Sequence, residues 1–479
     1  MPRATQMTGA AARIIVVGQG AAGLAATLAA AETARAAGRS IDITLIDRAA
    51  ESEAGGNTRW SPSNMRMVSP DRVDRNFVAD MLSATQSRGD KSYFTRLARD
   101  APATIAWLQR HGIEFIQPPY YLSTGPARIQ PVGGGVSLIK TLTCAAQVAG
   151  TTSIGMTFRY QCRACAIETD GDRVAGLVVE QNGLRHVLPA DAVVLACGGF
   201  QGNPAMMRAH FDAGGETMRL ISPGTRLDTG DGIDIALRLG ADQSGDWSGM
   251  HCEPIDPRSK NPAPVVLVYP YGIVVDKTGK RFFDEGGGLM HETWEWLARH
   301  IHFDTPGSIA FAIADSRLHQ IPNYQRAIRS EVPPAQADSI PELAKLIGVD
   351  AQALDATVAA YNAACTGDSD CFDAARCDGL SASALQPPKS NWARAIGVPP
   401  FLAYPLIGAV AYTFGGLATD ERARVLRGGV PIPGLFAAGE ITGHFYGTAP
   451  NAVSVLRALV FGRIAGAEAV HALVNSEVA

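Results

Sequence analysis

The sequence predicts an α/β fold, in which a Rossmann-like dinucleotide-binding domain is interrupted by an inserted α+β segment. Three observations lead to this prediction. An apolar strand enters a glycine-rich turn at residues 18–23 and continues into an Ala-rich helix, and residues 433–440 indicate a second buried strand that ends in an acid. Between them, residues 246–401 have proline-rich edges. We therefore predict a nucleotide-binding domain in two parts, residues 1–245 and 402–479, with residues 246–401 as a separate unit.

The glycine turn has the spacing of a phosphate-binding loop. In such a turn, Gly18 permits the sharp bend, Gly20 lets a pyrophosphate approach the backbone, and Gly23 packs the helix against the strand. The helix predicted over residues 21–37 includes Ala22 in its first turn and presents free N–H groups and a positive dipole end to the phosphates. Glycine turns also occur for purely structural reasons, so the neighbouring sequence must show whether this turn binds phosphate.

The second predicted strand, residues 41–46, supplies that context. It ends in Asp47, which is followed by Arg48 and lies 24 residues after the last glycine of the turn. A carboxylate at this place can accept hydrogen bonds from an adenosine ribose. We therefore expect a dinucleotide at this turn.

Composition limits the possible partners. The chain has 479 residues, a formal net charge of -4 and 46% hydrophobic residues, so no basic field favours nucleic acid or an anionic membrane. The first twelve residues contain no apolar signal-peptide core and no twin arginine, and the apolar runs are far shorter than the ~18 residues of a membrane helix. These features predict a cytoplasmic protein without a transmembrane segment.

Eight cysteines are scattered along the chain, which predicts reduced thiols rather than disulfides. Cys162 and Cys165 form a single C-x-x-C pair in a strand-like stretch. Core packing is the favoured interpretation of this pair, with a redox or metal role as the alternative, and we predict no metal ion.

Three further stretches predict secondary structure. Residues 72–112 have apolar side chains at helical spacing and predict helices, whereas residues 154–196 predict a meander of short strands. Residues 339–361 predict an N-capped helix followed by an amphipathic one.

A loop of two glycines, an amide and a hydroxyl follows the acidic strand end. This loop would fold back over the same phosphates and consists of Gly55, Gly56, Asn57 and Thr58. It resembles a segment of the flavoprotein family of fumarate reductases, succinate dehydrogenases, 3-ketosteroid dehydrogenases and tricarballylate dehydrogenases, in which Gly-Gly-Asn-Thr/Ser holds the FAD pyrophosphate. The resemblance implies a Rossmann-like FAD-binding domain (GR2-type) with an inserted α+β capping domain at residues 246–401.

Other segments extend the resemblance along most of the chain. Residues 63–66 resemble the loop beside the flavin, and the carboxylate after the buried strand of residues 433–440 can bind the ribityl chain. The helix predicted to begin near Asn451 would aim its positive end at the flavin. By this resemblance we assign to FAD the further residues Asn64, Met65, Arg66, Ala196, Gly198, Gly199, Asp231, Gly416, Gly439, Glu440, Ser454 and Val455.

The mode of FAD attachment follows from a departure from the family. Membrane-bound members tether FAD to a histidine shortly after the Gly-Gly-Asn segment, but this chain has Arg59 and Trp60 there. Noncovalent FAD is therefore implied.

The positions that bind the substrate in the family differ even more in this chain. Fumarate reductases carry a proton-donating arginine a few residues after the glutamate that corresponds to Glu285, and a carboxylate-binding arginine before the last helix; this chain has arginine at neither place. His291 could take over proton transfer, since imidazole titrates near neutrality, or it could be a surface histidine. Arg128 is a candidate for a substrate anion, with a salt-bridged arginine as the alternative. We interpret Arg281 and Glu285 as a structural ion pair.

Four residues beside the expected flavin segments are the other catalytic candidates. His251 and Tyr412 occupy stretches that resemble substrate-binding positions of the family, and His444 and Tyr446 follow Glu440 closely. Each of them could instead be a hydrogen-bonding group of the structure, and the sequence leaves open which one transfers the proton.

The resemblance implies an FAD-dependent oxidoreductase that dehydrogenates a CH–CH unit of a small carboxylated or carbonyl-bearing substrate by hydride transfer to flavin N5. Tricarballylate dehydrogenase is the most similar member. The alternatives are an ene reductase of the fumarate-reductase kind and a flavin-binding electron-transfer subunit that needs a partner. Because the sequence has no second Rossmann motif, we expect an external electron acceptor, namely an iron–sulfur protein, a quinone or oxygen, rather than NAD(P)H.

Overall fold

The computed structural model describes residues 11–119, 122, 125–211 and 213–476. The outer ends of the predicted segments 1–245 and 402–479 therefore lie outside the described residues. The α-helices of the described part are α1 (Ala21–Ala36), α2 (Phe77–Ala84), α3 (Lys91–Arg110), α4 (Gly134–Val148), α5 (Pro204–His210), α6 (Asp231–Arg238), α7 (Met290–Asp304), α8 (Ile340–Ile347), α9 (Ala351–Ala364) and α10 (Ser454–Ser476).

The strands alternate with these helices along the chain. They are β1 (Ala12–Val17), β2 (Ile41–Ile46), β3 (Phe115–Ile116), β4 (Gln130–Pro131), β5 (Ile154–Arg159), β6 (Cys162–Asp170), β7 (Arg173–Gln181), β8 (Leu184–Pro189), β9 (Ala192–Leu195), β10 (Arg219–Leu220), β11 (Gln243–Ser244), β12 (Met250–Ile255), β13 (Ile273–Asp276), β14 (Ala310–Asp315), β15 (Ala335–Ala337), β16 (Phe401–Thr413), β17 (Gly416–Leu417), β18 (Arg424–Arg427) and β19 (Val430–Ala437). Helices combined with parallel strands confirm the α/β prediction.

The first sheet has six strands in the order β18-β19-β9-β1-β2-β5. Five of them run parallel, and β18 pairs antiparallel with β19 at one edge. Because parallel neighbours end at the same sheet edge, the last residues of β1, β2, β9 and β19 lie side by side. Ligands of open α/β sheets bind outside this carboxyl edge.

Helices α1 and α10 pack closely against each other. A Cβ on Gly462 of α10 would lie 2.3 Å from the carbonyl oxygen of Ala22, and one on Gly466 would lie 2.0 Å from that of Ala26. The two helix backbones therefore touch directly, which explains the Ala-rich sequence of α1.

The second sheet is organised around β16, a strand of 13 residues. It pairs antiparallel with β12, β14 and β15 and in parallel with β10, and β13 pairs with β14. In the pairing with β12, His251 lies opposite Tyr412. This sheet combines strands of residues 246–401 with β10 before and β16 after that range, and the domain boundaries stay a prediction.

Most predicted elements lie where the sequence indicates, with one correction. Residues 72–112 hold α2 and α3, and Ser339 caps α8 by accepting a hydrogen bond from the Glu342 N–H at 3.4 Å. The meander predicted over residues 154–196 is wrong at both ends. At its start, β5 pairs in parallel with β2, because α4 returns the chain to the edge of the first sheet, and at its end β9 pairs in parallel with β1 and β19. The meander itself consists of β6, β7 and β8.

Within the described residues, no helix combines the length and the apolar character that a membrane crossing needs.

Candidate functional site

The carboxyl ends of β1, β2, β9 and β19 open into a cavity of about 330 Å³, and residues of β12, α7 and β16 line its other side. We call the part lined by Gly18, Gly20, Asp47 and Gly56 the glycine end. The part lined by His251, Glu253, Arg329 and Tyr412 is called the β12 end.

The glycines of the turn after β1 fix its path. A Cβ on Gly18 would lie 2.5 Å from the Ala196 carbonyl oxygen, and one on Gly23 would lie 1.8 Å from the Gly18 carbonyl oxygen. Gly20 differs, because a Cβ there would meet no protein atom within 4 Å. The space beside Gly20 belongs to the cavity, and α1 begins there with the N–H groups of its first turn.

Asp47 lines the glycine end at the tip of β2. Its carboxylate accepts hydrogen bonds from the N–H groups of Gln19 at 2.8 Å and Ala49 at 2.7 Å. Burial raises the pKa of this carboxyl group, although the two hydrogen bonds and the charge of Arg48 oppose that shift. Asp47 therefore holds the glycine turn in place in addition to facing the cavity.

Several buried polar atoms on cavity-lining residues lack a hydrogen-bond partner among the described residues. They include Gln19 Oε1, Trp60 Nε1 and Asn64 Oδ1. A buried polar group left without a partner costs about 1–3 kcal/mol, so these atoms favour a polar ligand in the cavity. Together with the open space at Gly20 and the start of α1, they fit a dinucleotide such as FAD.

Two further carboxyl groups, Asp228 and Glu440, line the cavity. Asp228 accepts hydrogen bonds from the side-chain amides of Asn57 at 2.9 Å and Gln201 at 2.8 Å. Glu440 accepts one from the Thr413 N–H at 3.2 Å. Burial raises the pKa of both groups, that of Glu440 to about 7.

Asp231 begins α6 and lines the cavity between two arginines. Its carboxylate pairs with Arg163 at 2.8 Å and with Arg48 at 3.2 Å. Burial raises the pKa of Asp231, but these two arginines outweigh burial and the net shift is downward. The carboxylate is therefore ionised and already paired.

The predicted FAD residues divide into two groups by position. Those that line the cavity are Gly18, Gly20, Ala22, Asp47, Arg48, Gly56, Asn57, Thr58, Asn64, Ala196, Gly198, Asp231, Gly439, Glu440, Ser454 and Val455. Those that pack behind the lining are Gly23, Gly55, Met65, Arg66, Gly199 and Gly416. For instance, Met65 is fully buried, and a Cβ on Gly416 would lie 2.2 Å from the Ile441 carbonyl oxygen. The assignment of all these residues to FAD stays a prediction.

At the β12 end, the side chain of His251 lies between two carboxylates. Its Nδ1 bonds to Oε1 of Glu295, and its Nε2 bonds to Oε1 of Glu253 at 3.2 Å. Burial lowers the pKa of His251, but the two carboxylates outweigh burial and raise it to about 10. His251 is therefore an imidazolium near neutral pH, and its ring stacks on that of Tyr412 with the centroids 4.8 Å apart.

Tyr412 faces the cavity from β16 and keeps its proton. Burial, assisted by the negative charge of Glu295, raises the pKa of the phenol far above its ordinary value. Ser454, the first residue of α10, opposes this shift only in part. A neutral phenol donates a hydrogen bond well but cannot act as a base at neutral pH.

His444 and Tyr446 lie outside the cavity lining. His444 bonds through Nε2 to the Thr419 hydroxyl at 2.9 Å, and its ring stacks on that of Tyr93. Burial, with the nearby positive charge of Arg457, lowers the pKa of His444 to about 3. The Tyr446 hydroxyl accepts a hydrogen bond from the Gly245 N–H at 3.0 Å. Both side chains thus have structural partners.

His291 lines the cavity from the first turn of α7. Burial lowers its pKa, Glu292 opposes this, and the charges of Arg66 and Arg128 lower the pKa further. The net shift is downward, so His291 is a neutral imidazole near pH 7. Arg128, the predicted candidate for a substrate anion, also lines the cavity.

The sequence analysis missed three charged residues at the β12 end. Glu253 could have been found, because residues two apart on a strand share a face and Glu253 follows His251 by two positions. Glu295 lies on α7, 44 residues along the chain from His251, and no sequence signal connects them. Arg329 lines the cavity, and within the described residues its guanidinium makes no hydrogen bond or ion pair.

The predicted ion pair of Arg281 and Glu285 is confirmed as a structural one. The two side chains are buried and lie 2.6 Å apart, away from the cavity lining. Glu285 also accepts a hydrogen bond from the Val274 N–H at 2.7 Å, which ties the pair to β13.

The chain is similar in sequence to a known protein family and to several enzymes. The model of a family described as an FAD binding domain matches residues 13–454. The chain is 31% identical over 387 residues to the NADH:acrylate oxidoreductase of Vibrio harveyi, which covers 76% of this chain and 35% of that protein. It is 29% identical over 488 residues to a probable fumarate reductase of Shewanella frigidimarina (96% of this chain, 75% of that protein). It is 30% identical over 426 residues to the 4-oxocyclohexanecarboxylate 2-dehydrogenase of Sinomonas cyclohexanicum (84% and 70%).

Solved structures agree with the sequence matches. The open conformation of a flavocytochrome c3 fumarate reductase superposes with a TM-score of 0.76 at 26% identity and covers 96% of this chain and 78% of its own. The 3-ketosteroid-Δ4-(5α)-dehydrogenase of Rhodococcus jostii RHA1 superposes with a TM-score of 0.68 at 25% identity and covers 98% and 99%. The predicted α/β flavoprotein fold is thereby confirmed.

Proposed function

The chain belongs to the FAD binding domain family, and from this premise we propose that it dehydrogenates a CH–CH unit of a small substrate that carries a carboxylate and a carbonyl group. Family membership confirms the predicted resemblance, the cofactor FAD and the oxidoreductase class. The observation that carries the proposal is one cavity end that combines the cation of Arg329 with the neutral phenol of Tyr412. The name of the Sinomonas relative pairs the same two substrate groups and supports this choice.

Tyr412 would bind the substrate carbonyl. FAD, when bound, supplies the two-electron acceptor, which takes a hydride from a substrate carbon. A hydrogen bond from the Tyr412 hydroxyl to the carbonyl oxygen would acidify the C–H bonds next to the carbonyl and stabilise the negative charge that develops on that oxygen.

Arg329 would bind the substrate carboxylate. Guanidinium and carboxylate match in a planar pair of charge-assisted hydrogen bonds. The Arg329 backbone N–H donates to the Val265 carbonyl oxygen at 2.9 Å, which fixes the residue in the cavity wall. The backbone of Arg329 is thus fixed at the cavity wall, from which its guanidinium would receive an anion.

An apolar wall completes the β12 end. Val265, Leu267 and Trp294 line the cavity beside Arg329 and His251, and the first two are buried. These side chains would exclude water around the reacting carbons, which strengthens every electrostatic contact made there.

The second candidate function is the reverse reaction, the reduction of a C=C bond. It is supported by the relatives named as acrylate and fumarate reductases. The same residues would serve, because a catalyst works in both directions. Fumarate itself is disfavoured, since this chain lacks arginine at both positions where fumarate reductases carry it.

We also propose that FAD is bound noncovalently and that electrons leave to an external acceptor, an iron–sulfur protein, a quinone or oxygen. Arg59 and Trp60 follow the Gly-Gly-Asn-Thr segment in place of the tethering histidine. Acid precipitation tests the first point: the yellow colour should pass to the supernatant. Colour retained in the pellet would contradict noncovalent binding.

Anaerobic reduction of the yellow protein tests the activity. The FAD-loaded chain is mixed with 4-oxocyclohexanecarboxylate, tricarballylate or a 3-ketosteroid, and in a second series the reduced protein is mixed with acrylate or fumarate. Bleaching by one saturated compound without a partner protein is the expected result, and it would exclude a subunit that needs a partner for its chemistry. Reoxidation by an enoate without any bleaching would favour the ene reductase. Inertness in both series would contradict both functions.

A further inference from the structure

We propose that Glu253 is the catalytic residue that takes the proton from the substrate carbon, and that His251 and Glu295 are positioning residues behind it. The inference deepens the proposed function and rests on it. Neither the family comparison nor the sequence analysis assigns Glu253 a role.

His251 has no free nitrogen for the substrate. Nδ1 is bonded to Glu295 and Nε2 to Glu253, so both N–H groups of the imidazolium point at carboxylates. One ring face is covered by Tyr412. His251 therefore connects two acids and cannot itself reach a substrate proton without losing one of them.

The two acids beside His251 differ in what they face. Glu295 lies outside the cavity lining, and its second oxygen accepts a hydrogen bond from the Ala449 N–H at 3.2 Å. Glu253 lines the cavity, and its side chain is 19% exposed compared with 8% for Glu295. Of the two acids, only Glu253 opens toward a ligand.

The surroundings of Glu253 favour its ionised form. Burial raises the pKa of Glu253, but the hydrogen bond and charge of His251, together with the charge of Arg329, outweigh burial and the net shift is downward. Cys252 also lies close enough to feel the charge of Glu253, but burial raises the pKa of its thiol, which stays protonated, and His251 separates Glu295 from Glu253. Glu253 is thus a carboxylate at neutral pH and has a lone pair for a proton.

Glu253 takes H⁺ from the carbon next to the substrate carbonyl, and the electron pair of that C–H bond stays on the substrate as an enolate. This pair would then form the C=C bond when the neighbouring carbon gave its hydride to bound FAD. The substrate loses two electrons and two hydrogens, and the cofactor gains two electrons. In the reverse direction the protonated Glu253 returns H⁺ to the same carbon.

The test is proton exchange, which needs the base but no electron transfer. The FAD-loaded chain is incubated anaerobically with 4-oxocyclohexanecarboxylate in D₂O, and loss of the hydrogens next to the ketone is followed by proton NMR. Wild type, Glu253→Gln and the control Glu342→Gln, an exposed residue in the first turn of α8, are compared. We expect wild type and control to exchange equally and Glu253→Gln to exchange about a hundredfold more slowly, a usual effect of losing a general base.

Exchange by Glu253→Gln within threefold of wild type would overturn the assignment, as would absence of exchange in the wild type. Loss of exchange in His291→Gln, with exchange retained in Glu253→Gln, would move the role to His291. Failure of the proposed function shows separately, as a flavin that no substrate bleaches. Retained FAD and an unchanged melting temperature establish that Glu253→Gln is folded.

The positioning role has its own readout. Glu295→Gln weakens the hold on the His251 proton, so Glu253 loses part of the positive charge beside it and its pKa should rise. We expect the acid limb of the exchange rate to move to higher pH while the maximal rate falls less than in Glu253→Gln. An unchanged pH profile in Glu295→Gln would overturn this part of the proposal.

Discussion

The two ends of the cavity are built from different parts of the chain. At the glycine end the lining is mostly backbone, and its carboxylate, Asp47, is held by two backbone N–H groups. At the β12 end the lining is made of side chains, and His251, Glu253 and Glu295 hold one another across β12 and α7. The difference teaches that the glycine end should be sensitive to added volume, whereas the β12 end should be sensitive to the loss of single polar atoms.

The strongest test of this contrast is Tyr412→Phe, which removes one oxygen from the β12 end. We expect bleaching by the substrate to slow by about 10²–10³-fold, as for the loss of one oxyanion-stabilising donor, while FAD stays bound. Stopped-flow absorbance measures both. Tyr404→Phe on the same strand, away from the cavity, is the matched control. Equal bleaching rates in wild type and Tyr412→Phe would show that the Tyr412 hydroxyl takes no part in the reaction.

The opposite test adds volume at the glycine end. A Cβ at Gly20 meets no protein atom, so Gly20→Val should leave the fold intact but occupy space beside the first turn of α1. We expect FAD affinity to fall about a hundredfold, which corresponds to about 2.7 kcal/mol, with an unchanged melting temperature of the FAD-free protein. Gly397→Val, also in open space, is the control. Fluorescence titration with FAD measures the affinity, and normal binding would disprove a phosphate site at Gly20.

Arg329→Gln separates substrate binding from cofactor binding within the same cavity. Loss of a charge-assisted pair should weaken the binding of a carboxylated ketone by about ten- to a hundredfold, because such hydrogen bonds contribute about 1.5–3 kcal/mol. A neutral ketone such as cyclohexanone should bind as before. Perturbation of the flavin spectrum reports both affinities, and Arg326→Gln, an exposed neighbour, is the control. Equal weakening of the neutral ketone would contradict a specific anion contact.

The smallest expected effect is on stability. The pKa of His251 is raised from its ordinary value of 6.5 to about 10, so its ion pairs stabilise the fold fully below about pH 6.5 and lose this effect as the pH rises to about 10. The melting temperature of wild type should therefore exceed that of His251→Gln by a few degrees at pH 6, and the gap should close toward pH 10. Differential scanning calorimetry of the FAD-loaded protein measures it. A gap that widens with pH would show that His251 is not held as an imidazolium.

Much of the glycine end could be predicted from the sequence because its parts are local. Strand, turn and helix follow one another within residues 12–36. Gly18 and Gly23 can be recognised in the sequence because a side chain at either position would collide with neighbouring backbone atoms. Asp47 follows β2 directly, so its position depends only on the parallel pairing of β1 with β2.

The β12 end could be predicted only in part, because it depends on tertiary packing. His251 and Tyr412 were found, but Glu295 meets His251 only because α7 packs on β12. Closeness along the chain is also a poor guide to the cavity lining. His444 and Tyr446 lie close to Glu440 in sequence, but their side chains form hydrogen bonds behind the cavity lining.

The direct backbone contact of α1 with α10 has a consequence for the choice of cofactor. The first turns of both helices line the cavity, through Ala21 and Ala22 in one and Ser454 and Val455 in the other. Because Gly462 and Gly466 touch the carbonyl oxygens of the partner helix, the span between these two positive dipole ends is a fixed length. Flavin mononucleotide carries the ring and one phosphate but no adenosine, so it would leave Asp47 without a ribose partner and should bind this rigid site more weakly than FAD.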